Sequence, residues 1–188
     1  MQYSFVLILI FVWVGCSNDD HTNMFRNIDD FVKYFDTTIS ESSDEDIKNY
    51  WHHPSKLFTL YYFTSPLDCS SCVDELKMFK DKSRISYINI PYLRIIHIKG
   101  SYYATENTVS LRDGFSMIEV PVVVSNAMYE YLRVGRGPVK LLTGPADRII
   151  FLDDASYHPI FQKKSFDIID NILNLYPKLP RQLSEGNE

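Results

Sequence analysis

The first pattern along the chain is an apolar run from Phe5 to Val14, which turns polar directly after Gly15-Cys16. A run of this length is too short to span a bilayer as a mature helix, but it matches the hydrophobic segment of a secretion signal. We therefore predict a signal peptide at residues 1–15 and a polar tether at residues 16–23.

A helical pattern follows the tether. Apolar residues recur there at spacings of three and four, which places them on one face of a helix. The serine-rich and acidic residues 38–56 predict a solvated loop with a short helix at Asp44–Trp51. We expect residues 24–56 to form an N-terminal helical extension that packs on the main domain. The apolar residues are Met24, Phe25, Ile28, Phe31, Val32 and Phe35.

Short β-branched and aromatic runs, bounded by turn-forming residues, predict the strands. The last two runs flank Thr143-Gly144-Pro145-Ala146-Asp147, so we expect them to form a hairpin. The predicted strands are Leu57–Thr64, Leu93–Ile98, Val120–Val124, Val139–Leu142 and Ile149–Leu152.

Helical patterns alternate with these strands. We predict helices from about Cys72 to Lys82, at Thr108–Met117 and at Ser165–Tyr176. Strands that alternate with helices favour an α/β sheet covered on both faces. We expect one such domain at residues 57–180, followed by a polar tail at residues 181–188.

Composition and charge fit one globular domain and disfavour nucleic acid as a partner. The chain has 188 residues, of which 45% are hydrophobic and 23% charged, which is enough to bury a core. Its formal net charge is -5, and no local cluster of Lys and Arg supplies the cationic surface that nucleic acid requires.

The most specific chemical motif is Cys69-Ser70-Ser71-Cys72, which lies between a predicted strand and a predicted helix. Two cysteines at this spacing can face each other across one helical turn, with the first at the helix N-terminus. Free backbone N–H groups and the helix dipole stabilise a thiolate there, and the thiolate is the reactive form of cysteine. The motif therefore favours redox chemistry.

Three other interpretations of the cysteine pair stay open. A zinc site needs two more ligands, but the chain has no second cysteine pair, and His52-His53 and His97 would contribute only singly. A structural disulfide is compatible with export to an oxidising compartment. Copper binding by the two thiolates and a histidine is the third. Our prediction is that the site holds no metal and needs no diffusible cofactor, and that His97 is a strand residue.

The segment Phe63–Cys72 resembles the active-site turn of thioredoxin-like proteins, particularly the membrane-anchored thiol–disulfide oxidoreductases of bacterial envelopes. The segments Val120–Val124, Tyr131–Leu142 and Asp147–Phe151 are similar to that family's extra strand, cis-proline loop and closing hairpin. The resemblance extends from about Leu57 to Tyr176. It implies a thioredoxin-like α/β fold, with a central mixed sheet and helices on both faces.

The resemblance also implies roles for individual residues. In that family the first cysteine attacks a substrate disulfide and the second resolves the mixed disulfide. Carried over, Cys69 is the nucleophile and Cys72 is the resolving thiol of a redox-active disulfide. Pro138 takes the cis-proline position beside the cysteines, with Pro121 as the competing candidate. The expected catalytic residues are therefore Cys69, Cys72 and Pro138.

The chain departs from the family at two positions. Many thioredoxins carry a buried acid six residues before the nucleophile; here that residue is Phe63, so proton transfer needs another carboxylate or water. Asp68 replaces the family's aromatic residue before the first cysteine, and we expect it to cap the helix. Because Asp68, Asp74 and Glu75 disfavour a nearby thiolate, we predict a reducing couple closer to thioredoxin than to a strong oxidant.

The end of the signal segment, Trp13-Val14-Gly15-Cys16, resembles a bacterial lipobox, in which the signal is cut before a cysteine that is then lipidated. The resemblance implies that Cys16 carries a lipid anchor, so that the domain is held at a membrane without a spanning helix. This would explain the odd count of three cysteines. The expected location is the bacterial cell envelope, either facing the periplasm or exposed at the surface.

The combined expectation is an extracytoplasmic thiol–disulfide oxidoreductase, a reductase or isomerase of disulfide-containing exported proteins, supplied with electrons by a membrane donor. The alternative is a non-enzymatic thioredoxin-like module, such as a copper chaperone or an envelope-assembly lipoprotein. Peroxide reduction is disfavoured, because the Pro and Thr pattern around a peroxidatic cysteine is absent before Cys69. The pairs Tyr61-Tyr62 and Tyr102-Tyr103 suggest a carbohydrate or peptide platform, but strand and core packing explains most aromatic residues.

Overall fold

The computed structural model describes six stretches of the chain. Outside them lie the predicted signal peptide, Cys16, the tether, Asp68, Cys69 and the predicted polar tail. No helix among the described residues is long and apolar enough to cross a membrane. The described stretches are residues 24–54, 56–66, 70–112, 115–135, 137–153 and 159–176.

Helices and strands alternate along the described residues after two N-terminal helices. The helices are α1 (Ile28–Ser40), α2 (Glu45–Trp51), α3 (Ser70–Ile85), α4 (Val122–Leu132) and α5 (Pro159–Leu175). The strands are β1 (Phe58–Thr64), β2 (Leu93–Ser101), β3 (Thr108–Arg112), β4 (Phe115–Pro121), β5 (Val139–Thr143) and β6 (Ile149–Asp153).

The strands form one mixed sheet in the order β3-β4-β2-β1-β5-β6. The strand β1 is parallel to β2 and antiparallel to β5, and all of its residues are buried. A strand covered on both faces is expected to be a nearly continuous apolar run, and Phe58–Thr64 is such a run. The strand β4 runs parallel to β2, while β3 and β6 form antiparallel edges.

Two hydrophobic clusters cover the two faces of the sheet. On the first, here called the α1/α4 face, Phe35 and Met128 pack against residues such as Phe63. On the second, called the α3/α5 face, Phe79 and Phe166 pack against the opposite side of the strands. The α/β fold with a central mixed sheet and helices on both faces is therefore confirmed.

The two helices predicted in the N-terminal extension are present, and they are part of the core. The side chain of Asp44 caps α2 by accepting hydrogen bonds from two backbone N–H groups. The indole N–H of Trp51 donates to Asp36 at 2.7 Å, which ties α2 to α1. The buried residues of α1 include Phe31, Phe35 and Ile39.

The strand predicted at Val120–Val124 is wrong for most of its length. The strand β4 ends at Pro121, and Val122–Val124 form the first turn of α4. Proline cannot donate to a sheet ladder, but the position just ahead of a helix requires no N–H from it. The helix then packs its later apolar residues, including Met128 and Leu132, on the sheet. Tertiary packing thus overrides the β propensity of three valines.

The helix predicted at Thr108–Met117 is also wrong, since this segment is a β-hairpin. The strands β3 and β4 pair from Thr108 opposite Glu119 to Arg112 opposite Phe115. The sequence does carry a signal for this structure. An Asp-Gly pair is a favoured two-residue hairpin turn, and Asp113-Gly114 stands between two runs of alternating residues.

The closing hairpin and the last helix agree with the sequence prediction. The strands β5 and β6 pair antiparallel, with Lys140 opposite Asp153. The helix α5 begins at Pro159 rather than at Ser165. Its apolar residues Phe166, Ile169 and Leu173 pack on the α3/α5 face, as their spacing predicted.

Candidate redox site

The second cysteine of the motif lies at the start of a helix. The helix α3 begins at Ser70, so Cys72 is in its first turn. Cys72 is 8% exposed and is disulfide-bonded. Its predicted partner Cys69 and the predicted cap Asp68 lie outside the described residues. The predicted strand before the motif and the predicted helix after it are confirmed.

The start of the loop before the motif packs against two other elements. The strand β1 ends at Thr64, opposite Lys99 of β2. At the next position, Gly100, a Cβ would lie 2.6 Å from Ser125 Oγ and 3.1 Å from Pro66 Cδ. Because only glycine lacks that atom, Gly100 allows β2, α4 and the loop to come this close. The contact fixes where the chain leaves β1 toward the cysteines.

Pro138 is buried and lies directly before β5. Since Phe63 pairs with Val139, Pro138 is beside the end of β1 that leads to the motif. This placement agrees with the resemblance, whereas Pro121 precedes α4 instead. No peptide bond among the described residues is cis, so the cis geometry implied for Pro138 is wrong here. The trans form is the one that an X–Pro bond prefers, by about 0.5–1 kcal/mol.

A buried charged cluster lies on the α3/α5 face, one helical turn after Cys72. The side chains of Glu75 on α3 and Lys140 on β5 are both 0% exposed, and the Lys140 ammonium donates a hydrogen bond to Glu75 Oε1. Asp153 on β6 lies 3.2 Å from the same ammonium and accepts a hydrogen bond from Ser165 on α5. Buried charges are tolerated only when they are paired in this way. The cluster joins α3, β5, β6 and α5.

Tyr62 on β1 is an uncharged residue that lies beside this cluster. Its ring stacks on Phe79 with 4.2 Å between the ring centroids, and its backbone lies opposite Lys140. Burial raises the pKa of the Tyr62 hydroxyl, and the negative charge of Glu75 raises it further. The phenol therefore remains protonated at physiological pH.

His97 is a buried residue of β2, as the sequence predicted. It is 2% exposed, and its Nε2 lies 2.9 Å from Thr64 Oγ1 at the end of β1. Burial lowers the pKa of His97 to about 3, and the positive charges of Lys80 and Lys99 lower it further. The imidazole is therefore neutral at physiological pH.

Sequence reasoning missed Lys140 and Asp153. It treated Glu75 as a negative charge that disfavours a thiolate, whereas the structure places the Lys140 ammonium against that carboxylate. Glu75 and Lys140 are 65 positions apart in the chain, so no local pattern could pair them. The available signal was a single Lys within the apolar run Val139–Leu142. The pairing offsets part of the acidic surplus from which we predicted a reducing couple.

The histidines considered as metal ligands have other surroundings. His52 Nδ1 lies 3.8 Å from Asp36, and its Nε2 lies 3.3 Å from Ser40 Oγ, both on α1. Within the described stretches, no group of three His, Cys, Asp or Glu side chains is arranged to hold a metal ion.

No protein-family model and no curated protein matches the chain. An uncharacterised thioredoxin-like protein from Porphyromonas gingivalis is similar in structure, with a TM-score of 0.45 and 10% identity over 65% of this chain and 79% of that one. The apo form of the protein Trgpx has a TM-score of 0.38 and 13% identity over 66% and 86% of the two chains.

The order of the elements carries the fold assignment. A parallel β1-α3-β2 unit is followed, after the β3-β4 hairpin and α4, by the antiparallel hairpin β5-β6 and by α5, with the core strands in the order β2-β1-β5-β6. The α1 and α2 helices precede this core, and the β3-β4 hairpin extends the sheet beyond β2. The protein has a thioredoxin-like α/β fold.

Proposed function

We propose that the protein is a thiol–disulfide oxidoreductase in which Cys69 and Cys72 alternate between a dithiol and a disulfide. The observation that supports this most is the disulfide-bonded Cys72 in the first turn of α3. Of the other two cysteines in the chain, Cys69 is three positions earlier in the sequence, directly before the first residue of that helix. Free N–H groups at a helix N-terminus stabilise a thiolate at that position.

The reaction consists of two thiol–disulfide exchanges. The Cys69 thiolate attacks one sulfur of a client disulfide, which forms a mixed disulfide and releases the client's other sulfur as a thiolate. The Cys72 thiolate then attacks the Cys69 sulfur, releases the second client thiolate and closes the disulfide of the pair. The client gains the two electrons that the pair loses. A donor dithiol restores the pair by the same exchanges in reverse.

The resolving step requires Cys72 to lose its proton, and we assign the acceptor to Glu75. Glu75 is three positions after Cys72, so both side chains lie on one side of α3. Lys140 holds this buried carboxylate in place. Many thioredoxins have a buried acid at the position that Phe63 takes in this chain. With this assignment, Glu75 on the helix replaces that acid.

The role of Glu75 is tested by the pH dependence of the resolving step. In Glu75→Gln we expect release of a client from its mixed disulfide to slow and its pH profile to move to higher pH. Asp74→Asn, which removes an exposed and therefore screened acid from the same turn, is the matched control and should shift the profile much less. Equal profiles for both variants would refute the assignment.

The proposed site of action is the bacterial envelope, with the protein anchored through lipid on Cys16. The apolar run Phe5–Val14 and the Gly15-Cys16 junction support this proposal. Cys16→Ser should move the protein from the detergent phase to the aqueous phase in a partition experiment on host cells. Partition that does not depend on Cys16 would exclude the anchor.

The activity itself is tested by the reduction of insulin with dithiothreitol as the electron source. We expect wild type and Cys16→Ser to accelerate the reaction and Cys69→Ser to abolish the acceleration. Cys72→Ser should instead accumulate client proteins as mixed disulfides through Cys69. If neither wild type nor any variant accelerates insulin reduction, and copper(I) binds tightly only when both thiols are present, the non-enzymatic alternative is correct.

A further inference from the structure

A polar groove opens at one corner of the molecule, between the C-terminal end of α1, residues 105–109 and the start of α4. Its volume is about 610 Å³. We call it the Glu41–Glu106 groove after its two acidic residues. Its lining includes Glu41, Glu106, Asn107, Pro121 and Val124.

The floor of the groove is held by a hydrogen-bonded network. The Tyr34 hydroxyl donates to the side-chain oxygen of Asn107 at 2.9 Å, and the Asn107 amide donates to Thr38 Oγ1 at 3.1 Å. Thr38 in turn donates to the carbonyl oxygen of Tyr34 at 2.9 Å. These bonds hold Asn107 against α1. A ligand that binds there therefore loses little free energy to the ordering of this side chain.

The charge of the groove selects for a cation. Glu41 and Glu106 are exposed, and the residues that line the groove include no Lys, Arg or His. The other lining residues combine hydroxyl groups with small apolar surfaces, as at Ser42 and Val109. Carboxylates in a concave surface raise the local concentration of positively charged groups. A neighbouring cavity shares Glu41 with the groove and also contains Arg26 and Lys33, so Glu106 is the acid that belongs to the groove alone.

The groove lies at the end of the sheet where α3 begins. The strands β1, β2 and β4 are parallel, so Ser101 and its partner Pro121 are at the same end as Thr64. Pro121 lines the groove. Two strand spacings separate β4 from β1, which amounts to about 10 Å. An extended chain of a few residues spans that distance.

Two exposed tyrosines directly follow Ser101, whose register partner Pro121 lines the groove. Tyr102 is 58% exposed and Tyr103 is 95% exposed, whereas Tyr61 and Tyr62 are buried in the sheet. Core packing therefore explains the Tyr61-Tyr62 pair but not the Tyr102-Tyr103 pair. Exposed aromatic rings near a polar groove in the chain can supply contact area and a face for a cationic side chain.

We propose that the Glu41–Glu106 groove, together with Tyr102 and Tyr103, binds an extended polypeptide segment that carries Lys or Arg. The Glu41 and Glu106 carboxylates pair with the basic side chain, and the tyrosine rings support the chain on its way to the cysteine motif. This proposal deepens the proposed function, on which it rests, by assigning the site a preference for client disulfides flanked by basic residues.

Binding is measured with a short cysteine-free peptide of Gly, Ser and Lys, using full-length protein and fluorescence anisotropy. We expect the double variant E41Q/E106Q to weaken binding by about tenfold, as for two partly shielded ion pairs. Glu130→Gln, which removes an exposed acid from α4, is the matched control and should leave binding unchanged. A peptide with Glu in place of Lys should not bind. Equal binding of the two peptides, or no effect of the double variant, would overturn the proposal.

Reduction kinetics then separate this proposal from the proposed function. With a disulfide peptide flanked by lysines, E41Q/E106Q and Y102A/Y103A should lower kcat/KM, while reduction of a small uncharged aliphatic disulfide, which is too short to reach the groove, should fall much less. If both substrates are reduced and the variants have no effect, the groove assignment is wrong and the activity stands. If neither substrate is reduced, the activity fails, and the cysteine-free peptide still decides the groove.

Discussion

The two faces of the central sheet are equally well shielded from water but differ in their chemistry. On the α1/α4 face the Phe31 ring packs at 5.0 Å from Phe35 and 5.4 Å from Tyr61, between centroids. The buried acid Glu75, the buried base Lys140 and the buried imidazole of His97 all lie on the α3/α5 face. The α1/α4 face is stabilised mainly by burial of apolar and aromatic surface, whereas the α3/α5 face also requires a specific partner for each buried charge.

The contrast indicates which face would influence the proposed redox site. A charge acts more strongly on its neighbours in a low-dielectric interior than it does at a surface. Cys72 is on α3, so its thiol lies next to the face that carries the buried charges. The α1/α4 face supports the sheet from the other side. Variants on the two faces should therefore differ in which property they change.

The largest expected effect is that of Lys140→Met. Loss of the ammonium leaves the Glu75 carboxylate buried without its partner, which should lower the free energy of unfolding by about 3–5 kcal/mol. The double variant Lys140→Met with Glu75→Met should recover most of that loss, because a buried pair can be replaced by apolar side chains at little cost. Urea denaturation measures both. Losses that simply add would show that the two charges are not coupled.

A comparable loss of stability is expected from Phe35→Ala on the other face, without a change in chemistry. Removal of a fully buried ring costs about 3–5 kcal/mol. The rate at which iodoacetamide alkylates the reduced cysteines should stay at the wild-type value under conditions where the variant is folded. A clear change in that rate would break the separation between the two faces.

A smaller effect is expected at Gly100, where α4 on one face meets the loop that leads to the cysteines. Gly100→Ala forces a Cβ against Ser125 and Pro66 and should cost about 1–3 kcal/mol through overpacking. Ser125→Gly in the same chain removes the atoms nearest to the new Cβ and should restore part of the lost free energy of unfolding. The gain is reduced by about 1 kcal/mol, which is the cost of glycine within a helix. Thermal denaturation of the four chains gives the coupling. Its absence would contradict the close approach.

At neutral pH the smallest effect is that of His97, whose contribution to stability is near zero there and appears only as the pH falls. The pKa of His97 is lowered from its usual 6.5 to about 3, so the unfolded chain binds a proton that the folded protein excludes. Stability should therefore fall as pH decreases from about 6.5 toward 3, by at most about 1.4 kcal/mol per pH unit from this residue. The variant His97→Gln lacks this contribution, so the difference in unfolding free energy between wild type and variant should change with pH over that range. Parallel curves would mean that His97 is not buried as a neutral group.

The elements that the sequence predicted correctly are those with a strong local signal. The strand β1 combines β-branched and aromatic residues without interruption, and α1 repeats apolar residues at helical spacing. The helix that begins near Cys72 also follows from its local pattern. In each case the side chains that define the pattern are those that pack on the sheet.

The predictions that failed depended on distant parts of the chain or on a competing local signal. Val122–Val124 are helical because α4 must cover the sheet, although valine itself favours strands. The pairing of Lys140 with Glu75 requires β5 to lie beside β1 under α3, and only the assembled fold shows this. Cys69 and Cys16 lie outside the described residues, so their roles stay predictions from the sequence.

The distance in sequence between Glu75 and Lys140 also bears on how the domain is completed. The β1-α3-β2 unit can pair its two strands once residues up to Ser101 are available, but it then contains a carboxylate whose cation is still far along the chain. Closing that long loop has an entropic cost that only the docking of β5 recovers. A fragment that ends before Val139 should therefore collapse without a stable α3. Docking of the β5-β6 hairpin, which brings Lys140 to Glu75, is then the step that completes the stable fold.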